Sequence, residues 1–205
     1  MDILGSIAGF VVFLPFALVI STIIAIVDPG PIFYRQERIG KNGKKFLLWK
    51  FRTMRVHQPS DVGQLTAGSR DPRITSFGYY LRILKLDEVP QLWNVMKGEM
   101  SLVGPRPEVE RYVRLYDDRQ KRVLQLRPGC TDISVIRGHF HDDALLDDHQ
   151  HDPEQYYIST IMPRKLDHNL YYLEHQSLLL DLKILTGTMM LLIGIRKNQS
   201  VMEGH

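Results

Sequence analysis

From Ile3 to Val27 the chain reads ILGSIAGFVVFLPFALVISTIIAIV, without one charged side chain. At about 1.5 Å per residue, a straight helix of this length exceeds the roughly 30 Å of a bilayer's hydrocarbon core. The segment is therefore expected in a membrane. It does not read as a cleaved signal peptide, because it lacks a basic leader, is too long, and ends without a small-residue cleavage site. Pro15 stands at its midpoint, where it removes a backbone hydrogen bond and crowds the preceding turn, so a break or kink is expected there. Two geometries follow. In one the helix spans, Met1 and Asp2 lie outside, and Arg35, Arg38, Lys41, Lys44 and Lys45 hold the body inside. In the other the chain turns back at Pro15 and both ends stay on one face. Ser21 and Thr22 can bond nearby carbonyls in either case and do not decide between them.

The rest of the 205 residues has a different character. With 44% hydrophobic and 24% charged residues overall, the chain suits one globular domain with the apolar segment as an appendage. A net charge of +3, with both signs interspersed, gives no long cationic tract and argues against a nucleic-acid partner. The lone Cys130 forms no internal disulfide, which fits a reducing, cytoplasm-facing body, and no histidine near it in sequence suggests a catalytic thiol.

Asp28-Pro29-Gly30-Pro31 stops the apolar helix, and Ile32-Phe33-Tyr34 reads as a short strand. The turn signal Lys41-Asn42-Gly43-Lys44 separates it from Phe46-Leu47-Leu48-Trp49, which predicts a β-hairpin. Beyond it, Lys50 and Arg52 suit either a solvated face beside lipid head groups or a phosphate site. Residues 57–72, punctuated by Pro59, Gly63, Gly68 and Pro72, read as a loop. Phe77, Tyr80, Leu81 and Leu84 fall at helical spacing, with Arg82 on another face. Next comes LDEVPQLWNVMKGEMSLVGPRP. Pro90 is tolerated within a first helical turn, so Asp87 is expected to be the N-cap of a helix running to about Lys97. By propensity alone, Asp87 caps and Glu88 suits the first turn.

Three blocks, PGPIFYRQERIGKNGKKFLLWKFRTM, RDPRITSFGYYLRILKLDEVPQLWNVMKGEMSLVGPRPE and RPGCT, resemble the successive signatures of the bacterial sugar transferases. These are the monotopic polyprenyl-phosphate phosphoglycosyl transferases. The resemblance runs from Asp2 to about Leu192. It implies transfer of a sugar-1-phosphate from a nucleotide-sugar, usually a UDP-sugar, to a membrane polyprenyl phosphate, releasing UMP and initiating a bacterial surface glycan. Asp87 and Glu88 match the family's dyad. The implied roles are Asp87 as nucleophile, forming a phosphoglycosyl-aspartate, with Mg²⁺ screening the diphosphate and Glu88 either placing that ion or orienting the nucleophile. Arg106 matches the arginine of the Pro-Arg-Pro motif and Arg82 one preceding the dyad; both suit phosphate binding, though an Arg106–Glu108 ion pair is a structural alternative. Lys50 and Arg52 match Lys-Phe-Arg, and Asp71 and Arg73 match Asp-Pro-Arg, as a second rank of substrate-binding residues.

The fold implied is α+β: a re-entrant helix-break-helix over residues 1–28, with its membrane break at Pro15, then a helix-rich catalytic domain over 29–205 with a small hairpin and interfacial helices. The implied location is the bacterial inner membrane, with the catalytic domain on its cytoplasmic face and in contact with membrane lipids. A transferase releasing UDP and a non-catalytic scaffold are the rival functions. The chain departs from the pattern at Leu14, where Ser is frequent, and lacks the basic residues that usually precede the Asp matched by Asp2. It also has Cys130-Thr131-Asp132 where the family commonly has Ile-Thr-Gly, in a stretch expected to touch nucleotide or sugar, and Lys85 where Ser is frequent. The histidines of HFHDDALLDDHQHD lack a recognised zinc spacing and read as a solvated acidic loop. The last apolar run carries Asp181 and Lys183, so an interfacial helix, with Arg196 and Lys197 reaching head groups, or a core helix is expected.

Overall fold

The computed structural model describes residues 1–55, 71–137 and 152–192. Most of the 57–72 loop, the histidine-rich stretch up to residue 151, and Arg196 and Lys197 lie outside the described residues.

The apolar run forms α1 (Asp2–Val27), the one helix among the described residues long and apolar enough to cross a membrane. Helix passes through Pro15 without interruption, so the break expected there is not seen as a gap in the helix, and a turn back is not shown. What the structure gives instead is a one-sided helix. Asp2, Ser6, Gly9, Phe13, Ala17, Ile20 and Ile24 recur at helical spacing and are wholly or partly covered. The Asp2 carboxylate accepts from the Leu102 amide at 3.3 Å. A Cβ on Gly5 would lie 2.7 Å from Leu102 Cδ1, and one on Gly9 3.2 Å from a Leu92 methyl, so a side chain at either position would have to displace a leucine for the helix to approach as closely. At the far end Ile20 and Ile24 cluster with Phe51 and Leu81. Leu4, Val11, Val12, Phe16, Leu18 and Ile26 point away, exposed.

The hairpin is present and longer than its sequence signals: β1 (Phe33–Ile39) pairs antiparallel with β2 (Lys45–Phe51), from Phe33 opposite Phe51 to Ile39 opposite Lys45. Its turn places Asn42 at φ 56° and Gly43 at φ 74°, left-handed values that Asn and Gly tolerate best. Helix α2 (Ser76–Ile83) follows, capped by the Thr75 hydroxyl on the Gly78 amide at 2.9 Å. Helix α3 (Gln91–Met96) then packs on β2. Asn94, fully buried, fastens the two elements: its amide donates to Leu47 O and to Glu99, both at 2.7 Å, and its oxygen accepts from the Trp49 amide at 3.1 Å.

A second sheet, absent from the sequence reading, pairs β3 (Ser101–Val103) in parallel with β4 (Gly129–Thr131) across the short α4 (Glu110–Val113). After α5 (Ser134–Arg137), the chain resumes as α6 (Pro153–Tyr156), one π-turn over Tyr157–Ile161, and α7 (Met162–His175). Tyr112, Tyr116, Val123, Tyr157, Ile161, Met162, Leu166 and Leu170 form the main core, each large apolar side chain contributing about 1.5–3 kcal/mol. Helix α8 (Leu178–Leu192) buries Ile184 and Gly187. Its Asp181, which interrupts the apolar run, accepts from the Tyr172 hydroxyl at 2.5 Å. Its other face exposes Leu178, Leu179, Leu182, Met189 and Met190.

Candidate active site

Between α2 and α3 the chain tightens. Lys85 sits at φ 55°, and a single 3₁₀ turn over Leu86–Glu88 follows, closed by Glu88 N to Lys85 O and Val89 N to Leu86 O, both at 3.3 Å. Asp87 is therefore not the N-cap expected. Pro90, without an N–H, cannot bond back to Leu86 O, so the α-helix starts after it and Pro90 holds the cap position. Asp87 lies within the tight turn, 6% exposed, and its Oδ1 has no hydrogen-bond partner among the described residues.

Glu88 has the opposite surroundings. Lys50 Nζ, from β2, reaches its Oε1 at 2.8 Å, and Arg106 donates to the same oxygen. Arg106 thus pairs with Glu88 rather than Glu108, which takes the Tyr157 hydroxyl and faces Arg38 at 3.8 Å. Arg38 also donates to Pro107 O at 2.9 Å, pinning the Pro-Arg-Pro segment from behind. Burial pushes the Asp87 carboxyl above its ordinary range, partly offset by Lys50. Burial presses Glu88 the same way, but Arg106, Lys50 and Lys85 overcome it and hold that carboxyl well below its usual range. Burial, then the charge of Arg106, lowers the Lys85 ammonium.

The expected residues divide into two sets. Lys50 and Arg106 touch the dyad, and the charge of Arg82 acts on Asp87. Arg52 instead turns to the end of α1, where it pairs with Asp28 at 3.5 Å and donates to its carbonyl. Asp71 and Arg73 bond each other at 2.6 Å, where Arg55 N to Arg73 O and Thr75 N to Thr53 O stitch the strand's end to α2. Lys85 is the member that sequence reasoning noted only as a departure. Its only signal was a cation beside two carboxylates.

Among the described residues no three His, Cys, Asp or Glu side chains gather as a metal site. Two adjacent carboxylates, one with an unpartnered oxygen, still suit Mg²⁺, which is often held by one or two carboxylates together with a substrate's phosphates. The Cys130 thiol is pushed up to about 12 by burial, which makes it inert. Four cations, Lys50, Arg82, Lys85 and Arg106, thus act on two unlike carboxylates, an arrangement whose chemistry suits a phosphate-bearing ligand.

Residues 1–194 match the model of a protein family described as bacterial sugar transferase. The chain is 35% identical over 183 residues to the UDP-glucose:undecaprenyl-phosphate glucose-1-phosphate transferase of Xanthomonas campestris pv. campestris, covering 88% of this chain and 35% of that one. It is 32% identical over 194 residues to a UDP-N-acetylgalactosamine-undecaprenyl-phosphate N-acetylgalactosaminephosphotransferase of Aeromonas hydrophila, covering 92% and 41%. With the exopolysaccharide production protein PSS of Rhizobium leguminosarum bv. phaseoli it shares 33% identity over 201 residues, covering 91% and 90%. The chain thus spans well under half the length of the first two relatives and nearly all of the third. Matched along nearly its whole length, it belongs to the bacterial sugar transferase family.

Proposed function

We propose that the chain transfers a sugar-1-phosphate from a UDP-sugar to polyprenyl phosphate in two steps through Asp87. The observation that carries this reading is the buried, unpartnered Asp87 oxygen beside a carboxylate already bound by Lys50 and Arg106. In the first step an Asp87 oxygen attacks the sugar-linked phosphorus and the bond to UMP breaks, UMP leaving with the electron pair. In the second a polyprenyl phosphate oxygen attacks that phosphorus, the Asp87–phosphorus bond breaks, and the carboxylate is restored. Arg106, Lys50 and Lys85 hold phosphate oxygens, while Glu88 keeps Lys50 and Arg106 aimed. Asp87 and Glu88 are the residues that would hold Mg²⁺, which when bound would neutralise charge on the diphosphate. The names of the Xanthomonas and Aeromonas relatives, which specify UDP-sugars and undecaprenyl phosphate, support the same substrate classes here.

The same reading sets the protein at the cytoplasmic face of the inner membrane, α1 entering one leaflet without crossing. The supporting observation is that α1 touches the body near both its ends, from Asp2 to Ile24. The exposed faces of α1 and α8, with Tyr79, Tyr80 and Ile83 of α2, give lipid an apolar surface. A cysteine placed at residue 2 will label from the cytoplasmic side; labelling only from the periplasmic side overturns re-entry.

The deciding experiment omits the acceptor. With UDP-sugar and Mg²⁺ alone, the enzyme releases close to one UMP per site and retains sugar-phosphate on Asp87 by mass spectrometry. An unmodified Asp87 peptide and no UMP, where acceptor restores turnover, overturns the covalent route. Release of UDP instead of UMP overturns sugar-phosphate transfer.

A further inference from the structure

Two carboxylates compete for Arg106. Its guanidinium donates to Glu88, while Glu108 follows it in the same segment and lines one small cavity with it. The two acids are similarly screened from water, with side chains 14% and 18% exposed, so burial does not choose between them. Nor does the main chain. Pro105 O accepts from the Gly129 amide at 2.8 Å, Pro107 O from Arg38 Nη1 at 2.9 Å and Glu108 O from the Ile39 amide at 2.9 Å. The segment is thus held on both sides of Arg106, and the long side chain is the part that can turn. What decides is that Glu108 is already occupied. The Tyr157 hydroxyl donates to its Oε1, and Arg38 Nη1 faces its Oε2 at 3.8 Å. Each of these partners is itself fixed. Arg38 donates through Nε and Nη2 to Gln36 Oε1 at 3.2 and 2.7 Å. The Tyr157 ring packs on Tyr112 with centroids 4.9 Å apart, at the first residue of the π-turn, an irregularity that recurs at functional sites.

Resting on the transferase reading above, we propose that Arg38 and Tyr157 are positioning residues for Arg106: they satisfy Glu108, and so keep the neighbouring guanidinium turned to Glu88 and the substrate's phosphate. Their action passes through Glu108 and not through contact with the dyad. Stripped of Arg38, the Glu108 carboxylate carries an uncompensated charge in a partly buried place, and Arg106 is drawn to pair with it. Stripped of the Tyr157 hydroxyl, it keeps Arg38 but has an oxygen to offer, so the pull is weaker. Either way the group that binds phosphate is displaced from its aim, and a shift of about 1 Å in such a group can cost about a hundredfold in rate.

The test uses the full chain with undecaprenyl phosphate, Mg²⁺ and whichever of UDP-glucose, UDP-galactose and their two N-acetyl counterparts it turns over best, UMP release giving kcat/KM. Arg38→Gln will lower kcat/KM about tenfold and Tyr157→Phe about fivefold, with thermal melting checking each fold. Adding Glu108→Gln to Arg38→Gln will bring the rate back to within about threefold of the unaltered chain, because an amide has no charge with which to draw Arg106 away. A purely structural role predicts the opposite, since the double variant loses more of the network. In an Arg106→Ala background, Arg38→Gln will change kcat/KM by less than about twofold, its route of action being gone. A double variant as slow as Arg38→Gln alone overturns the proposal, and so does an undiminished loss from Arg38→Gln once Arg106 is absent. Near-normal turnover of folded Arg38→Gln overturns it as well. Tyr157→Phe, which removes a single oxygen and keeps the ring packed on Tyr112, carries the same tests if Arg38→Gln does not fold. If the unaltered chain releases UMP from no donor, the transferase reading fails first and this inference with it.

Discussion

Asp87 and Asn94 lie close together in the chain and both are buried, yet they are treated in opposite ways. Every hydrogen-bonding group of Asn94 that the fold uses is matched, joining hairpin, helix and Glu99. Asp87 carries an oxygen with no partner among the described residues and follows a residue in the left-handed region. The first arrangement stabilises; the second costs stability and persists because the surrounding turn enforces it. Here the matched group fastens the hairpin to α3, and the unmatched oxygen is the one to which the proposed chemistry is assigned.

Asp87→Asn breaks this comparison most sharply. Turnover and the acceptor-free UMP burst will fall by about 10⁴-fold or more, while the melting temperature holds or rises. The sign follows from linkage. The folded Asp87 has a raised pKa, so between its unfolded and folded values the native state binds the extra proton and stability falls as pH rises. Above the folded value the penalty is fully present, and the amide removes it. The same shift makes activity decline on acidification at a higher pH than an ordinary aspartate would, as a rate profile against pH will record.

Asn94→Ala will do the reverse, sparing the dyad's chemistry in whatever protein remains folded. Three hydrogen bonds at about 1 kcal/mol each give a loss of about 3 kcal/mol, or roughly 6–12 °C in Tm by calorimetry. Arg106→Lys comes next. A point charge keeps the pairing with Glu88 but not a bidentate phosphate contact, so kcat/KM falls about a hundredfold with folding retained; near-normal turnover would remove Arg106 from phosphate binding. Lys85→Gly has the smallest effect on the fold, relieving about 1 kcal/mol of left-handed strain and raising Tm by about 2–4 °C. Loss of the cation will slow turnover severalfold. Lys85→Val, β-branched at φ 55°, will lower Tm instead.

The sequence was most legible where local chemistry decides structure. Asn42-Gly43 marked the hairpin turn, the apolar run marked α1, and the dyad and Pro-Arg-Pro blocks marked residues that the fold brings into contact through Glu88. It was least legible where distant segments meet. Nothing local announces that Ser101–Val103 pairs with Gly129–Thr131, or that Tyr157, 49 positions further on, bonds Glu108. The capping error at Asp87 has a local cause: proline tolerates a first helical turn, but its missing N–H also permits a 3₁₀ turn before the helix, and propensity does not separate the two. Arg52 read as a phosphate ligand by motif alone; its partner, Asp28, belongs to the end of α1, and only the packing of that helix reveals the pairing.

The stripe of small and apolar residues along α1 also bears on how the protein is made. Asp2 bonds a residue 100 positions later, and Gly5 and Gly9 meet Leu102 and Leu92. At about 5–20 residues per second of synthesis, those partners follow the helix by several seconds. Throughout that interval α1 lacks the two leucines that close on its glycine face. If α1 enters lipid as proposed, its apolar faces are best sheltered there before the body closes on it, and a chain held in the aqueous phase until Leu92 and Leu102 arrive will aggregate through this helix.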